Sequence, residues 1–403
     1  MPEAVVVATA RSPIGRARKG ALRDTRPDDL AALMVKEALA KVPELDPHDL
    51  DDLMIGCAQP AGEQGYNIAR VVGVLAGMDR VPGTTVNRYC SSSLQTARMA
   101  FHAIRAGEGE AFVAAGVETV SRYGQGKADG LPGTKNDVFA EAMARTEQAD
   151  ALPWRDPREQ DALPDVYLAM GHTAENVAGL RGVSRTEQDA FALRSQNRAE
   201  ASIADGFWKR DITPVTLPDG TVVSEDDGPR PGVTMEGLSG LKPVFRPDGT
   251  VTAGNCCPLN DGAAALVIMS DRKAAALGAT PLARIVSTGV SALSPEIMGL
   301  GPVDACRQAM TRAGMSIGDI DLVELNEAFA AQVIPSARDL GVDPDRLNVH
   351  GGGIALGHPF GMTGARMTTT LINALQWNDK QTGMVSMCVG GGQGMAMVLE
   401  RLS

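Results

Sequence analysis

An α/β fold of two duplicated halves, the first interrupted by an insertion, is predicted by three observations. Short apolar strand patterns alternate with helical ones along both ends of the chain, which argues for a mainly parallel sheet. The order then repeats: Leu325 against Ile55 gives 325 − 55 = 270, His358 against Cys90 gives 268, and Val385 against Val113 gives 272. Between Ser121 and Thr250 the pattern gives way to Gly, Pro and charge, marking surface loops or an inserted subdomain.

The first half reads as a strand over 4–8, an amphipathic helix over 28–40, a strand over 53–56, a helix after Cys90 and a strand over 112–116. After Cys90, the spacing of Leu94, Ala97, Phe101 and Ile104 is helical, and Gly107 is a fitting stop. In the insertion, Ser184 and Glu187 form a capping-box pattern that opens a helix running to about Asp205. The chain returns to the first half near 263–269. The second half follows as a strand over 284–287, a helix over 303–313, a strand over 321–325, a helix over 362–375 and a strand over 384–388. In such a duplication Cys90 and His358 occupy equivalent turns, each opening a helix, and a pseudo-twofold axis brings both helix N-termini to one centre.

Composition narrows the functional classes. At 403 residues the chain is too long for one core, and 44% hydrophobic with 22% charged residues fits a globular protein. A net charge of −11 opposes nonspecific nucleic-acid binding, so any anionic ligand must find locally placed cations. No apolar run is long enough to span a membrane, and no export signal opens the chain; a cytoplasmic protein is expected. Six cysteines do not make a disulfide framework, and reduced thiols fit that compartment. No Cys-x-x-Cys or His-Glu-x-x-His occurs, so no metal site is expected.

Three turns can carry chemistry. Cys90 stands in Asn87-Arg88-Tyr89-Cys90-Ser91-Ser92-Ser93, where a helix N-terminus favours thiolate and backbone N–H groups can meet an oxyanion. A buried structural cysteine is the alternative. His358, in Gly357-His358-Pro359, is restrained by its proline and can act as base. Cys388 precedes Gly390-Gly391-Gly392 as a second proton-handling thiol. The glycines lack the Lys-Ser/Thr of a phosphate loop. The string His350-Gly351-Gly352-Gly353 resembles an esterase oxyanion turn, but no Gly-x-Ser-x-Gly elbow accompanies it. Asn326, after the strand ending at Leu325, can orient a water or bind a carbonyl oxygen, or simply start a loop.

Together with Asn326-Glu327-Ala328-Phe329-Ala330, these motifs closely resemble the thiolase family. The likeness extends to Val5-Val6-Val7-Ala8-Thr9-Ala10-Arg11, Met170-Gly171-His172-Thr173-Ala174-Glu175-Asn176, Thr252-Ala253-Gly254-Asn255 and Asn260-Asp261-Gly262-Ala263-Ala264, in family order over nearly the whole chain. It implies the five-layered αβαβα thiolase fold: residues 1–121 with 252–278 as one half, 122–251 as a loop domain receiving coenzyme A, and 279–403 as the other half. It also implies coenzyme A as substrate, no permanently bound cofactor, and a homodimer or homotetramer.

The implied reaction is thiolysis of 3-ketoacyl-CoA, or the reverse Claisen condensation. Cys90 attacks the ketone, His358 takes its proton, and Cys388 protonates the departing enolate and later deprotonates coenzyme A. The enolate oxygen is met by His358 and a water held by Asn326, the Cys90 oxyanion by the N–H groups of Cys90 and Gly390. Met170, Arg230, Phe245, Cys257 and Phe329 match the coenzyme A contacts. Departures are Cys256-Cys257-Pro258 where serines and a small residue are common, Ala169 where many biosynthetic members carry histidine, and His350 where asparagine is usual. The Ser91-Ser92-Ser93 context is closer to degradative ketoacyl-CoA thiolases. Alternatives are a ketoacyl-synthase-type condensing enzyme, which pairs its cysteine with two histidines or His and Asn, and a noncatalytic acyl-CoA or lipid carrier.

Overall fold

The computed structural model describes residues 1–148 and 154–403. Nine strands carry the architecture: β1 (Ala4–Arg11), β2 (Asp52–Gly56), β3 (Gly83–Val86), β4 (Ala111–Thr119), β5 (Asn260–Ser270), β6 (Ala283–Ala292), β7 (Leu322–Leu325), β8 (Thr382–Val389) and β9 (Gln393–Arg401). They lie in the order β7-β8-β9-β6-β1-β5-β4-β2-β3. The order is symmetric about its middle, where β1 and β6 pair antiparallel through Val5–Arg284 and Val6–Ala283. Each half therefore repeats one plan. Parallel pairing joins β3, β2 and β4 on one side and β7 and β8 on the other. The remaining pairs of these strands are antiparallel, so the sheet is mixed rather than mainly parallel. The reason is connectivity: β4 and β5 are joined through the insertion, and β8 turns back into β9 through a three-glycine hairpin, so neither pair uses a helical crossover. The strand over 393–401 was absent from the sequence expectation because glycines surround its start.

Side-chain alternation along the strands builds the layers. Val5, Leu53, Ile55, Val113 and Val267 pack on one face with α1 (Pro27–Leu39) and α2 (Ile68–Leu75). Their neighbours Val6, Met54, Ala114 and Leu266 point oppositely, toward α3 (Ser92–Ala106) and α8 (Thr363–Trp377), which also cover Met387 and Met397 of the second half. Beyond the second half, Val323, Leu325, Met384 and Val398 pack with α6 (Gly301–Ala313) and α7 (Ala330–Leu340). The result is helices, sheet, the central pair α3 and α8, sheet, helices. Leu94 and Leu371 in that centre are fully buried, each contributing about 2 kcal/mol.

The central helices correct the register of the duplication. Both have 15 residues, and 363 − 92 = 271. In this register Cys90 matches Gly361, and His358 lies three residues earlier in a longer turn. Val385 likewise matches Ala114, not Val113: Val385 and Ala114 share the central layer, whereas Val113 faces outward. A slip of one residue reverses the face a strand residue presents.

In the insertion, α4 (Met170–Arg181) precedes α5 (Arg185–Ala204), whose capping box closes between Ser184 and Glu187 as the sequence predicts. Phe191 and Ala192 of α5 join the core of α7 with Val333 and Ala337, so the insertion rests on the second half. The buried Arg11 of β1 anchors it to the first half through Asp211 (2.7 Å) and Asp226 (2.5 Å).

His350 is a packing residue. Its ring stacks on Phe207 at 3.6 Å and 4°, Nδ1 lies 2.7 Å from Ser202 Oγ, and Nε2 lies 3.1 Å from Asn378 Nδ2. Burial lowers its pKa to about 4. The unfolded chain therefore takes up this proton first on acidification, and the stability present above pH ~6.5 is lost as pH falls toward 4. Urea unfolding at pH 7 and pH 5 should show His350→Gln losing less stability on acidification than wild type, by on the order of 1–3 kcal/mol.

Candidate active site

Cys90 is presented by a short 3₁₀ turn, Tyr89–Ser91, that feeds α3. The turn is tied locally: Asn87 Oδ1 accepts the Tyr89 N–H (2.8 Å) and Ser92 Oγ accepts the Arg88 N–H (2.9 Å). Cys90 is 9% exposed and lines a pocket of about 360 Å³ with Ala58, Tyr89, Met170, Phe360 and Gly390. The N–H groups of Gly390 and of Cys90 itself point at its sulfur. These donors were expected to produce a thiolate, but burial outweighs them and pushes the thiol up to about 12, with Glu118 adding to the rise. The Cys90 thiol therefore rests neutral.

His358 is held from both ring nitrogens. Its turn begins at Gly357, with φ 117° and no space for a Cβ beside Asn260, whose Oδ1 accepts the His358 N–H (2.9 Å). Nδ1 lies 2.6 Å from Thr363 Oγ1, which in turn lies 2.7 Å from the Pro359 carbonyl. We assign the Thr363 hydrogen to that carbonyl, so Nδ1–H donates to Thr363 and Nε2 keeps its lone pair. Nε2 faces the Asn326 amide nitrogen at 3.3 Å. Burial, then the charge of Arg366, lowers the His358 pKa to about 3, so the imidazole rests neutral. Asn326 follows β7, and its Oδ1 is buried with no hydrogen-bond partner among the described residues. Glu327 anchors the preceding glycine turn by accepting from Ser195 Oγ (2.6 Å), Asn348 Nδ2 (2.8 Å) and the Ile354 N–H (3.1 Å).

Cys388 is the penultimate residue of β8 and is wholly buried, packed with Ala328, Phe329, Val251 and Met298. Met170, Phe245, Cys256 and Cys257 border the same cluster and are partly exposed. The Cys257 N–H donates to the Ala328 carbonyl (3.0 Å), and Phe245 meets Phe329 edge-on at 6.2 Å. Burial raises the Cys388 thiol strongly, and a negative charge at Cys90 raises it further. The two thiols thus oppose each other's ionisation, which favours one anion at a time.

Of the expected residues, Cys90 and Gly390 meet at the pocket with Met170, and Cys388, Cys257, Phe245 and Phe329 gather beside Met170. His358 pairs with Asn326, and Phe360, two residues on, joins His358 (ring centroids 5.2 Å apart) to the pocket wall. Arg230 stands apart: it is exposed, its N–H donates to Gln196 Oε1 (3.0 Å), and it does not enter the apolar cluster. Thr363 and Glu118 were missed by sequence reasoning. A lone glutamate in Ala114-Ala115-Gly116-Val117-Glu118 and a hydroxyl five residues after His358 are the signals that could have found them. Among the described residues, no group of three or more His, Cys, Asp or Glu is arranged to hold a metal ion.

Comparison with known proteins adds independent findings. Residues 4–272 match the family described as Thiolase, N-terminal domain, and residues 279–401 the one described as Thiolase, C-terminal domain. The chain is 44% identical to the 3-ketoacyl-CoA thiolase of Bacillus subtilis (strain 168), over 99% of this chain and 100% of that protein. It is also 44% identical to the 3-oxoadipyl-CoA/3-oxo-5,6-dehydrosuberyl-CoA thiolase of Escherichia coli (strain K12), over the full length of both. The crystal structure of the Bacillus anthracis acetyl-CoA acetyltransferase superposes with a TM-score of 0.87 at 39% identity, covering 100% of this chain and 99% of that one.

Proposed function

The chain belongs to the thiolase family, and we propose from that premise how its own residues carry the reaction. It is an acyltransferase that cleaves 3-ketoacyl-CoA with coenzyme A to acyl-CoA and acetyl-CoA, or runs the reverse condensation; a ketoacyl-synthase or carrier role is not favoured. The observation that supports the residue assignment is a pair of buried thiols from different halves, Cys90 opening on the pocket and Cys388 in the adjoining cluster, with Met170 bordering both.

In this reading Cys90 Sγ attacks the ketone carbon as its proton passes to His358 Nε2, so the thiolate forms during attack. The resulting oxyanion receives the N–H groups of Cys90 and Gly390, which already point at the sulfur. The carbon–carbon bond then breaks, leaving an acyl group on Cys90 and an acetyl-CoA enolate, whose oxygen is met on the side of His358 and Asn326 and whose carbon takes the proton of Cys388. Cys388, now an anion, removes the thiol proton of incoming coenzyme A, which takes the acyl group from Cys90 as the departing Cys90 Sγ recovers the proton held on His358 Nε2. Met170, Phe245, Cys257 and Phe329 border Cys388 and supply an apolar wall for the pantetheine arm. Arg230, exposed and apart, suits a phosphate of coenzyme A at the surface.

All steps use side chains, backbone and coenzyme A as substrate; we propose no resident cofactor. We further propose the division 1–121 with 252–278, 122–251 and 279–403, a homodimer or homotetramer, and a cytoplasmic location. Among the described residues no helix is long and apolar enough to cross a membrane. The substrate proposed is a degradative 3-ketoacyl-CoA. The test is CoA-dependent loss of enolate absorbance with acetoacetyl-CoA and longer 3-ketoacyl-CoAs; no thiolysis of any chain length would contradict the reading.

Thr363 gives a prediction specific to the imidazole. Thr363→Val removes the acceptor for Nδ1–H and frees the ring to hold its proton on Nε2, so kcat should fall by about 10²-fold, whereas Thr363→Ser should restore most of it. Steady-state thiolysis across pH 6–9 with both variants decides this.

A further inference from the structure

The turn after His358 is pressed against the first half more tightly than packing alone requires. A Cβ at Gly361 would collide with the carbonyl oxygens of Val117 and Gly56, and one at Gly116 with the carbonyl oxygen of Gly361. At this seam the fully buried Glu118 of β4 accepts the Gly361 N–H (3.0 Å) and the Ala58 N–H (2.8 Å) on Oε2. Gln64 Nε2 (2.8 Å), Tyr123 Oη (2.9 Å) and, at 3.9 Å, Cys57 Sγ donate to Oε1. Burial raises the Glu118 pKa, but two backbone N–H groups and an amide NH₂ among these partners can only donate and act against that rise, an arrangement that suits an ionised carboxylate. Ala58 and Phe360, on either side of the clamp, line the Cys90 pocket.

We propose that Glu118 is a positioning residue for thiolysis: its carboxylate locks the His358–Gly361 turn of one half to the strand exit of the other and fixes a negative charge against the Ala58 wall of the Cys90 pocket. This rests on the assignment of Cys90 and His358 above. The titratable groups facing Glu118 are Cys57, Tyr123 and Cys90, and those facing Cys90 are Glu118, Tyr89, Tyr123, Cys257 and Cys388.

Replacement by glutamine removes the charge and turns an NH₂ toward N–H donors on one side. Two consequences run in opposite directions. Misplacement of the turn should lower kcat for acetoacetyl-CoA thiolysis about tenfold or more, with KM for coenzyme A little changed. Loss of the charge should make Cys90 more acidic, shifting the pH profile of its alkylation by iodoacetamide, followed on the Cys90 peptide by mass spectrometry, to lower pH. A slower enzyme with a more reactive thiol is the expected result. A brace without electrostatic action would lower kcat and leave the alkylation profile in place, and that outcome, like an unchanged kcat, overturns the proposal. Should Glu118→Gln not fold, Glu118→Asp keeps the charge while shortening the reach: reduced kcat with a wild-type alkylation profile supports the proposal, and wild-type kcat overturns it. Loss of turnover in Cys90→Ala tests the assignment separately, so the two failures are distinguishable.

Discussion

Cys90→Ala should lose thiolysis by about 10⁴-fold or more while remaining folded. Removing the nucleophile of a covalent enzyme leaves only binding and oxyanion stabilisation, and losses of this order or larger follow. The site reinforces the expectation because, among the described residues, Cys90 is the thiol that lines the pocket. Cys388 and Cys257 belong instead to the adjoining apolar cluster. Stability should change little, since a small thiol becomes a smaller methyl at the edge of a pocket. Cys90→Ser should be nearly as inactive: a neutral imidazole lowered to about 3 is too weak a base for a hydroxyl of far higher pKa. Full activity in either variant would remove the acyl-cysteine from the mechanism.

Cys388→Ala should lower kcat for cleavage by about 10²–10⁴-fold, the range of a lost general acid or base. Its signature differs from that of Cys90. In the proposed mechanism the residue handles the proton on the acetyl-CoA carbon, so wild type should exchange the methyl hydrogens of acetyl-CoA with deuterated solvent and Cys388→Ala should not. Exchange followed by proton NMR separates the two thiols: in Cys388→Ala, Cys90 can still take an acetyl group slowly from acetyl-CoA itself, whereas deprotonation of the acetyl-CoA methyl group stops. Normal exchange in that variant would assign the proton to another group. The strong rise of the Cys388 thiol, from burial and from charge at Cys90, makes its thiolate a strong base once formed.

Much of this was legible in the chain. Apolar alternation gave the strands that mattered, the Ser184–Glu187 pattern gave a helix start, and the glycines around Cys388 and His358 marked the turns that carry the chemistry. Register was less legible, because a repeat read from single residue pairs is blind to facing; only packing distinguishes Ala114 from Val113 as the partner of Val385. The thiol's resting state was misjudged for a related reason. A helix N-terminus is visible in sequence, whereas the burial that outweighs it is a property of the closed fold. Arg230 was expected among the coenzyme A contacts by resemblance alone, and no local pattern tied it to the cluster around Phe329. Glu118 and Thr363 touch other residues rather than the pocket: the Glu118 contacts to Ala58 and Gly361 exist only once the two halves are docked, and the Thr363 contact to His358 only once the local turn closes.

The acyl group itself is the most direct test of the account. Wild-type enzyme mixed with acetoacetyl-CoA, acid-quenched within one turnover and digested, should carry one acetyl group on the Cys90 peptide, and coenzyme A added before the quench should discharge it. Acetyl on Cys388 or Cys257 instead, or turnover with no acylated peptide at any time, would contradict the assignment of Cys90 as carrier and Cys388 as proton handler.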